Sequence, residues 1–195
     1  MTRPDSPLLR DVPARPTPRS ALELACRWFM EGRRVDVSPL AAELGVSRVT
    51  VHRWIGTRDQ LLTEVMWELS DRTLTRLLRD LQAEGVARRV PELLTRFVTA
   101  TSTNAGVRRM QQHEPDVIVR LCTLSASTYQ RRVIDRVAAL VTEDRAAGLI
   151  TLDLDDRELA YVAVRLCEGY AHRPALTGEP ADAERARVVL HAVVR

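Results

Sequence analysis

From Arg19 to the C-terminus, apolar side chains recur at three- and four-residue intervals, the period of an α-helix. Leu22, Ala25, Cys26 and Phe29 form one such face, and Gly32 is placed to end that helix. A short second helix is expected to open at Ser38-Pro39, with Ser38 as N-cap and Pro39 at the first helical position. It carries Leu40, Ala41 and Leu44 and stops at Gly45. A third runs from Ser47 to Ile55 and closes at Gly56. Thr57 and Gln60 have the spacing of a capping box, which starts a long helix from Arg58 to about Leu81. Further helices are expected from Val90-Pro91, over Gly106–His113, from Pro115, and over Ser127–Ala147, Asp155–His172 and Pro180–Val194. Only Leu149–Leu154 alternates polar with apolar, and it is too short to carry a sheet. The expected fold class is therefore all-α.

Composition agrees with a globular chain of one or two domains. The 195 residues are 45% apolar and 28% charged, and only 4% are aromatic, which favours helix over a β-rich fold. Residues 1–18 hold Pro4, Pro7, Pro13, Pro16 and Pro18 together with Arg3, Arg10 and Arg15. Proline lacks an N–H and breaks helices, so this stretch is expected to be a disordered arm, either solvated or touching DNA. The net charge is +3 and the isoelectric point is near 9.1, a weak pointer to a polyanionic partner. All 29 cationic side chains of the Lys and Arg class are Arg. A GC-rich genome produces that bias, and the guanidinium fork also suits phosphate and guanine.

The informative segment runs from Ser38 to Leu61: Ser-Pro-Leu-Ala-Ala-Glu-Leu-Gly-Val-Ser-Arg-Val-Thr-Val-His-Arg-Trp-Ile-Gly-Thr-Arg-Asp-Gln-Leu. Gly45 supplies the positive φ that a tight turn between two short helices needs. Ala41, Leu44, Val46 and Val51 are spaced to lock those helices together. Ser47, Arg48, Thr50, His52 and Arg53 are left facing outward, where a recognition helix meets base edges and phosphates. A helical hairpin with a merely solvated face would show the same periodicity.

The order of residues goes further than the periodicity. Leu-Ala-Ala-Glu-Leu-Gly-Val-Ser-Arg-x-Thr-x-x-Arg-x-x-Gly-Thr-Arg-x-x-Leu closely resembles the DNA-binding domain of the TetR family of bacterial repressors, over residues 19 to about 65. That family usually has Tyr at position 52, His at 54, Phe at 55 and Lys at 58, where this chain has His52, Trp54, Ile55 and Arg58. Ile55 and Arg58 preserve the physics: an apolar anchor, and a cation at a helix start to meet a phosphate. His52 can donate to a phosphate, and an imidazole is the side chain that changes charge near neutral pH. Trp54 can stack on the sugar-phosphate backbone or pack inward. The resemblance implies a two-fold dimer placing one such helix in each of two major grooves of a palindromic operator. Ser38, Ser47, Trp54, Thr57, Arg58 and His52 then belong to the DNA-facing set, with Thr57, Arg58 and His52 on phosphates. Arg48, Thr50 and Arg53 are the expected base readers.

Residues 66–195 are expected to form a helical ligand-binding and dimerisation domain, following a DNA-binding domain at 19–65. The segment Tyr161-Val-Ala-Val-Arg-Leu-Cys-Glu-Gly-Tyr170, with Gly178-Glu-Pro-Ala-Asp-Ala-Glu beyond it, resembles the QsdR-type branch of these regulators. That branch implies control by a quorum signal of the acyl-homoserine lactone class. Arg165 and Glu168 sit at i, i+3, so they form either a surface ion pair or a polar pair aimed into a pocket. Met66, Trp67, Met110, Leu121, Leu124, Tyr129 and Tyr161 are candidate pocket walls, although such residues also serve as plain core. Val188, Val189, Ala192 and Val193 are expected to meet a symmetry mate.

Enzyme and metal chemistry find little support. There is no Gly-x-Ser-x-Gly, no phosphate-binding glycine loop and no HExxH. His52, His113, His172 and His191 lie on separate predicted elements, without metal-ligand spacing. Cys122 and His113 are nine residues apart, on different predicted helices, and are the thiol–imidazole pair weighed as a nucleophile. No cofactor is expected. Cys26, Cys122 and Cys167 are odd in number and widely spaced, as in a reducing cytoplasm. No apolar run approaches the roughly 18 residues that span a bilayer, and no secretory h-region is present near residue 1. The expected partners are an operator duplex, a small apolar effector and a second copy of the chain. A helical enzyme, or an interaction protein whose pocket works without DNA, is the alternative.

Overall fold

The structure is a computed structural model that describes residues 15–124 and 127–195. Most of the proline-rich arm expected at 1–18, namely residues 1–14, lies outside the described residues. Among those described, regular structure is entirely helical.

Three helices build the N-terminal head: α1 (Pro18–Met30), α2 (Val37–Glu43) and α3 (Arg48–Ile55). The first starts earlier than the apolar period suggests. Thr17 caps it, accepting from Ser20 N while the Ser20 hydroxyl returns to the cap, and Pro18 takes the first helical position. In α2 the cap is Asp36, not the expected Ser38, which is exposed inside the first turn. Val37 is buried, so the helix is drawn back two residues to seat it in the core. Gly45 makes the turn to α3 with φ of 66°. Leu24, Trp28, Phe29, Leu40, Ala41 and Val51 are buried between the three helices.

α4 (Arg58–Ala83) opens on the Thr57–Gln60 capping box and runs uninterrupted past position 65, where the domain boundary is expected. Its first turns bury Leu61, Leu62 and Val65, and its later turns bury Leu74, Leu77 and Leu81. One contiguous buried cluster follows this helix from the head into the second half. Each fully buried Leu contributes about 1.5–3 kcal/mol relative to exposure.

The second half is made by α5 (Arg89–Thr103), α6 (Ala105–His113), α7 (Pro115–Thr123), α8 (Tyr129–Ala146), α9 (Asp156–Ala171), α10 (Arg173–Leu176) and α11 (Ala183–Val193). α8 packs along α9, and α11 lies across α5 and α9. α10 is a single turn, too short for an apolar period to reveal. α11 starts later than Pro180 because Asp182 caps it, accepting from Arg185 N at 2.9 Å. The alternating segment Leu149–Leu154 is an extended connector. Arg145 holds it by donating to the carbonyls of Leu152 and Leu154 at 2.8 and 2.7 Å. Arg88 donates to the backbone carbonyls of His191 and Val194, which satisfies the orphan end of α11. No helix among the described residues is long and apolar enough to cross a membrane.

Candidate nucleic-acid interface and effector cavity

α3 is held from behind and open in front. Val51 is fully buried, and Ile55 and Trp54 pack against the core at its C-terminal end. Ser47, Arg48, Val49, His52 and Arg53 are exposed along its other edge. Ser47 is the N-cap, and its Oγ accepts from Thr50 N at 3.0 Å and pairs with Thr50 Oγ1 at 2.8 Å. Thr50 is thus half-buried with its hydroxyl engaged, while Arg48 and Arg53 project freely. Val49 is a residue that the polar pattern passes over. It is 76% exposed beside Arg48, His52 and Arg53, which is unusual for a large apolar side chain unless it meets a partner. An apolar residue among donors was the available signal, because thymine offers a methyl in the major groove.

The remaining DNA-facing candidates divide. Thr57 is exposed at the start of α4, and its N–H donates to Gln60 Oε1 at 2.7 Å. Trp54 is half-buried and borders an open groove with Pro18, Leu22 and Arg132, so its ring packs inward. Arg58 does not present a free cation. Its Nε donates to Val35 O at 2.8 Å and its guanidinium pairs with Glu114 at 2.6 Å. Glu114 joins α6 to α7, and Arg34 and Arg109 also approach it, at 3.2 and 3.5 Å. Its burial disfavours the charge, but these cations outweigh that and hold the carboxyl below its usual range. Arg58 is therefore a tie between head and second half, because a carboxylate this sheltered needs a partner.

Behind the head lies a narrow cavity of about 50 Å³ lined by Phe29, Met66, Ser70, Phe97, Thr101 and Val107, among others. A second pocket, of about 20 Å³, shares Phe97, Thr101, Tyr129 and His172 with it and reaches Cys167 and Glu168. Phe29 belongs to α1, so the cavity touches the N-terminal head directly. The contact is close. A Cβ added at Gly106 of α6 would lie 2.4 Å from Phe29 O, so only glycine lets these two helices meet.

The polar groups here come from distant parts of the chain. Ser70 Oγ and Tyr129 Oη are 3.0 Å apart and buried. Gln111 Nε2 donates to Ala171 O at 3.0 Å and faces His172 Nδ1 at 3.2 Å. His172 Nε2 is 3.6 Å from Cys122 Sγ. Burial holds His172 down to about 4 and pushes the Cys122 thiol well above its ordinary value. That pair therefore stays neutral and lacks the thiolate a nucleophile needs. The partner of Cys122 is His172, not His113, which is exposed. Glu168 accepts from Arg165 at 3.0 Å and from Gln130 at 3.2 Å, and burial raises its carboxyl to about 7. Arg165 spends a further donor on Cys122 O at 3.2 Å.

Among the expected pocket walls, Met66, Tyr129 and Glu168 line these two pockets. Met110 and Leu121 are buried core residues outside them. Trp67 is half-buried under the Arg132 guanidinium at 5.7 Å. Leu124 and Tyr161 are corrected: they are 50% and 44% exposed, because each sits on the outward edge of its element. Arg165 stacks over the Tyr161 ring at 5.5 Å and points its donors back toward α7. Ser70, Thr101 and His172, with Gln111 behind His172, were not expected in the site. Ser70 and Thr101 had a signal, each being a polar residue within an apolar stripe; Gln111 and His172 had none.

The tetracyclin-repressor-like C-terminal domain family matches residues 84–195, more than half of the chain. No curated protein matches it. The solved structure of the transcriptional repressor QsdR of the TetR family from R. erythropolis is similar, with a TM-score of 0.78 and 25% identity. That match covers 91% of this chain and 93% of the other. The fatty acid degradation regulator FadR from Bacillus halodurans shares the fold, with a TM-score of 0.60 and 12% identity, over 90% of this chain and 98% of that one. So does a TetR transcription regulator from Haloarcula marismortui, with a TM-score of 0.57 and 16% identity, over 91% and 95%. With the helix-turn-helix head, the helical second half and this family match together, the chain belongs to the TetR family of transcriptional regulators.

Proposed function

We propose that this regulator is a repressor that binds a palindromic operator as a homodimer and releases it when a small apolar effector enters the cavity behind the head. The observation that carries the reading is the exposed edge of α3. Arg48, Val49, His52 and Arg53 face outward from a helix whose opposite side is sealed by fully buried Val51. Arg48 and Arg53 read base edges, Val49 meets a thymine methyl, and Ser47, Thr57 and His52 sit near phosphates. The buried hydroxyl pair in an otherwise apolar inner cavity, together with the similarity to QsdR, favours a lactone-type signal as effector. No enzymatic role is assigned, in keeping with the inert Cys122–His172 pair.

The resting cavity is far smaller than the roughly 300–1,000 Å³ of ordinary ligand sites. An effector must part α4, α5 and α6 to enter. Because Phe29 and Gly106 are in contact, that separation reaches the head, and two reading heads tuned to one duplex lose their spacing.

The test is a gel shift with the DNA flanking the protein's own gene. Binding should weaken steeply with salt, and Arg48→Ala with Arg53→Ala should cost about 1–3 kcal/mol per lost base contact. Unchanged affinity in the double variant would refute this assignment of α3.

A further inference from the structure

We infer that Glu114 is a built-in rival of the DNA backbone: its carboxylate holds Arg34 and Arg58 as a phosphate would, and so sets how tightly the head grips a duplex. This rests on the reading of α3 as the DNA-facing helix. Glu114 is a positioning residue here, acting on DNA only through the two arginines.

The geometry is that of an anion site filled from within. One Glu114 oxygen accepts from Arg58 Nη2 at 2.6 Å. The other lies 3.2 Å from Arg34 Nε and 3.5 Å from Arg109 Nη1. A guanidinium presents the same fork to a carboxylate and to a phosphate. Arg34 and Arg58 both belong to the head. Arg34 lies just before α2, and Arg58 opens α4 directly after α3 and the exposed Thr57. The bond from Arg58 Nε to Val35 O at 2.8 Å draws the two arginines to one spot at the start of α2. In a helix-turn-helix the first helix crosses the sugar-phosphate backbone while the second lies in the groove. Here α2 is the first helix, so this spot borders the backbone when α3 enters the groove. Glu114 is outside the head, at the junction of α6 and α7. The two arginines therefore have a choice of anion, one on the second half and one on the duplex.

The balance of charge makes that choice a close one. Glu114 faces three guanidinium groups, and Asp36 adds only long contacts, 3.8 Å to Arg34 and 4.0 Å to Arg58. The Arg34 side chain is 57% exposed, and a pair with so wet a partner is weak. A tie between the two halves needs Arg58 alone. Arg34 adds little to it, yet its charge on the DNA side is neutralised all the same. Once released, Arg58 keeps Val35 O as an acceptor and stays anchored on the head. Phosphate contacts carry no sequence information, so Glu114 tunes the strength and salt dependence of binding and leaves the choice of operator to α3.

Fluorescence anisotropy over a salt series, on the full chain, tests this with two probes: the DNA flanking the protein's own gene and a duplex of arbitrary sequence. Glu114→Gln should tighten both about tenfold at low salt. The slope of log affinity against log salt should steepen by about 0.9 for each arginine that gains a phosphate. The same variant should have a lower Tm, because the halves lose a tie. A residue that merely props up the fold would lose affinity together with Tm. Glu114→Asp keeps the charge, draws the carboxylate back by a methylene and should also tighten binding, which carries the test even where Glu114→Gln fails to fold. Adding Arg34→Ala and Arg58→Ala to Glu114→Gln should cancel the gain. If neither Glu114 variant changes affinity or slope, while Arg48→Ala with Arg53→Ala weakens binding to the flanking DNA, the rivalry is overturned and the reading of α3 stands. If that Arg48, Arg53 double variant binds as the parent does, the reading of α3 falls and takes this inference with it.

Discussion

At the scale of single residues, the inner cavity holds two titratable groups whose burial acts with opposite sign. Glu168 is raised to about 7, chiefly by desolvation and against the pull of Arg165. A carboxyl raised in the folded state adds stability that is complete below its unfolded value of 4.5 and is lost as pH rises through about 7. His172 is held down to about 4 from 6.5, so its contribution is present above 6.5 and is lost as pH falls toward 4. The two slopes offset each other in the parent. Glu168→Gln removes one of them. Its stability relative to the parent should improve by up to about 3 kcal/mol between pH 4 and pH 8, measured by urea unfolding. A flat difference curve would show that Glu168 is not desolvated. Neither titration could be read from the sequence. Glu168 has a sequence-local partner in Arg165, but its burial depends on α8, and His172 is buried by α6 and α7.

At the scale of elements, the junction of α6 and α7 matters more than its length suggests. Glu114 gathers Arg58 from α4, Arg34 from the loop before α2 and Arg109 from α6. Asp59 and Arg120 pair nearby at 3.1 Å, again joining α4 to α7. Glu114→Ala leaves the half-buried Arg58 with one backbone acceptor, Val35 O, and a long contact to Asp36 at 4.0 Å. The expected cost is about 1–3 kcal/mol, seen as a lower Tm and faster hydrogen exchange in α2 and α3. An unchanged exchange pattern would mean that the Glu114 cluster does not hold the head. Apart from the single turn α10, helix existence was legible because caps and periods are local: Thr57 with Gln60, Ser47, and the stripes of α4 and α5 all act within a few residues. Helix starts were less so. Val37 moved α2 back by two residues because burying an apolar side chain outweighed a side-chain cap.

At the scale of the whole molecule, the proposed homodimer needs a self-complementary face. α11 offers part of one. Val188 is 58% exposed and Ala192 is exposed, whereas Val189 and Val193 are half-buried against α5 and α9. Gly169 on α9 adds open space, since a Cβ there would meet nothing within 4 Å and another helix can come close. Val188→Asp places a charge on this face without entering the monomer's core. It should raise the dimer dissociation constant by at least tenfold, on the order of 1.4 kcal/mol, in sedimentation experiments. A dimer of unchanged strength would move the interface elsewhere.

The amino-acid order alone determined the helical class, the Gly45 turn and the outward edge of α3, because each depends on period, capping and φ within one or two turns of chain. Tertiary structure decided the rest. Arg58 faces a carboxylate 56 residues away, Ser70 meets a hydroxyl 59 residues away, and His172 closes a cavity against Gln111 across 61. Such partners are set by how helices pack, and one rotation of α6 or α9 would exchange them without altering the local pattern of either helix.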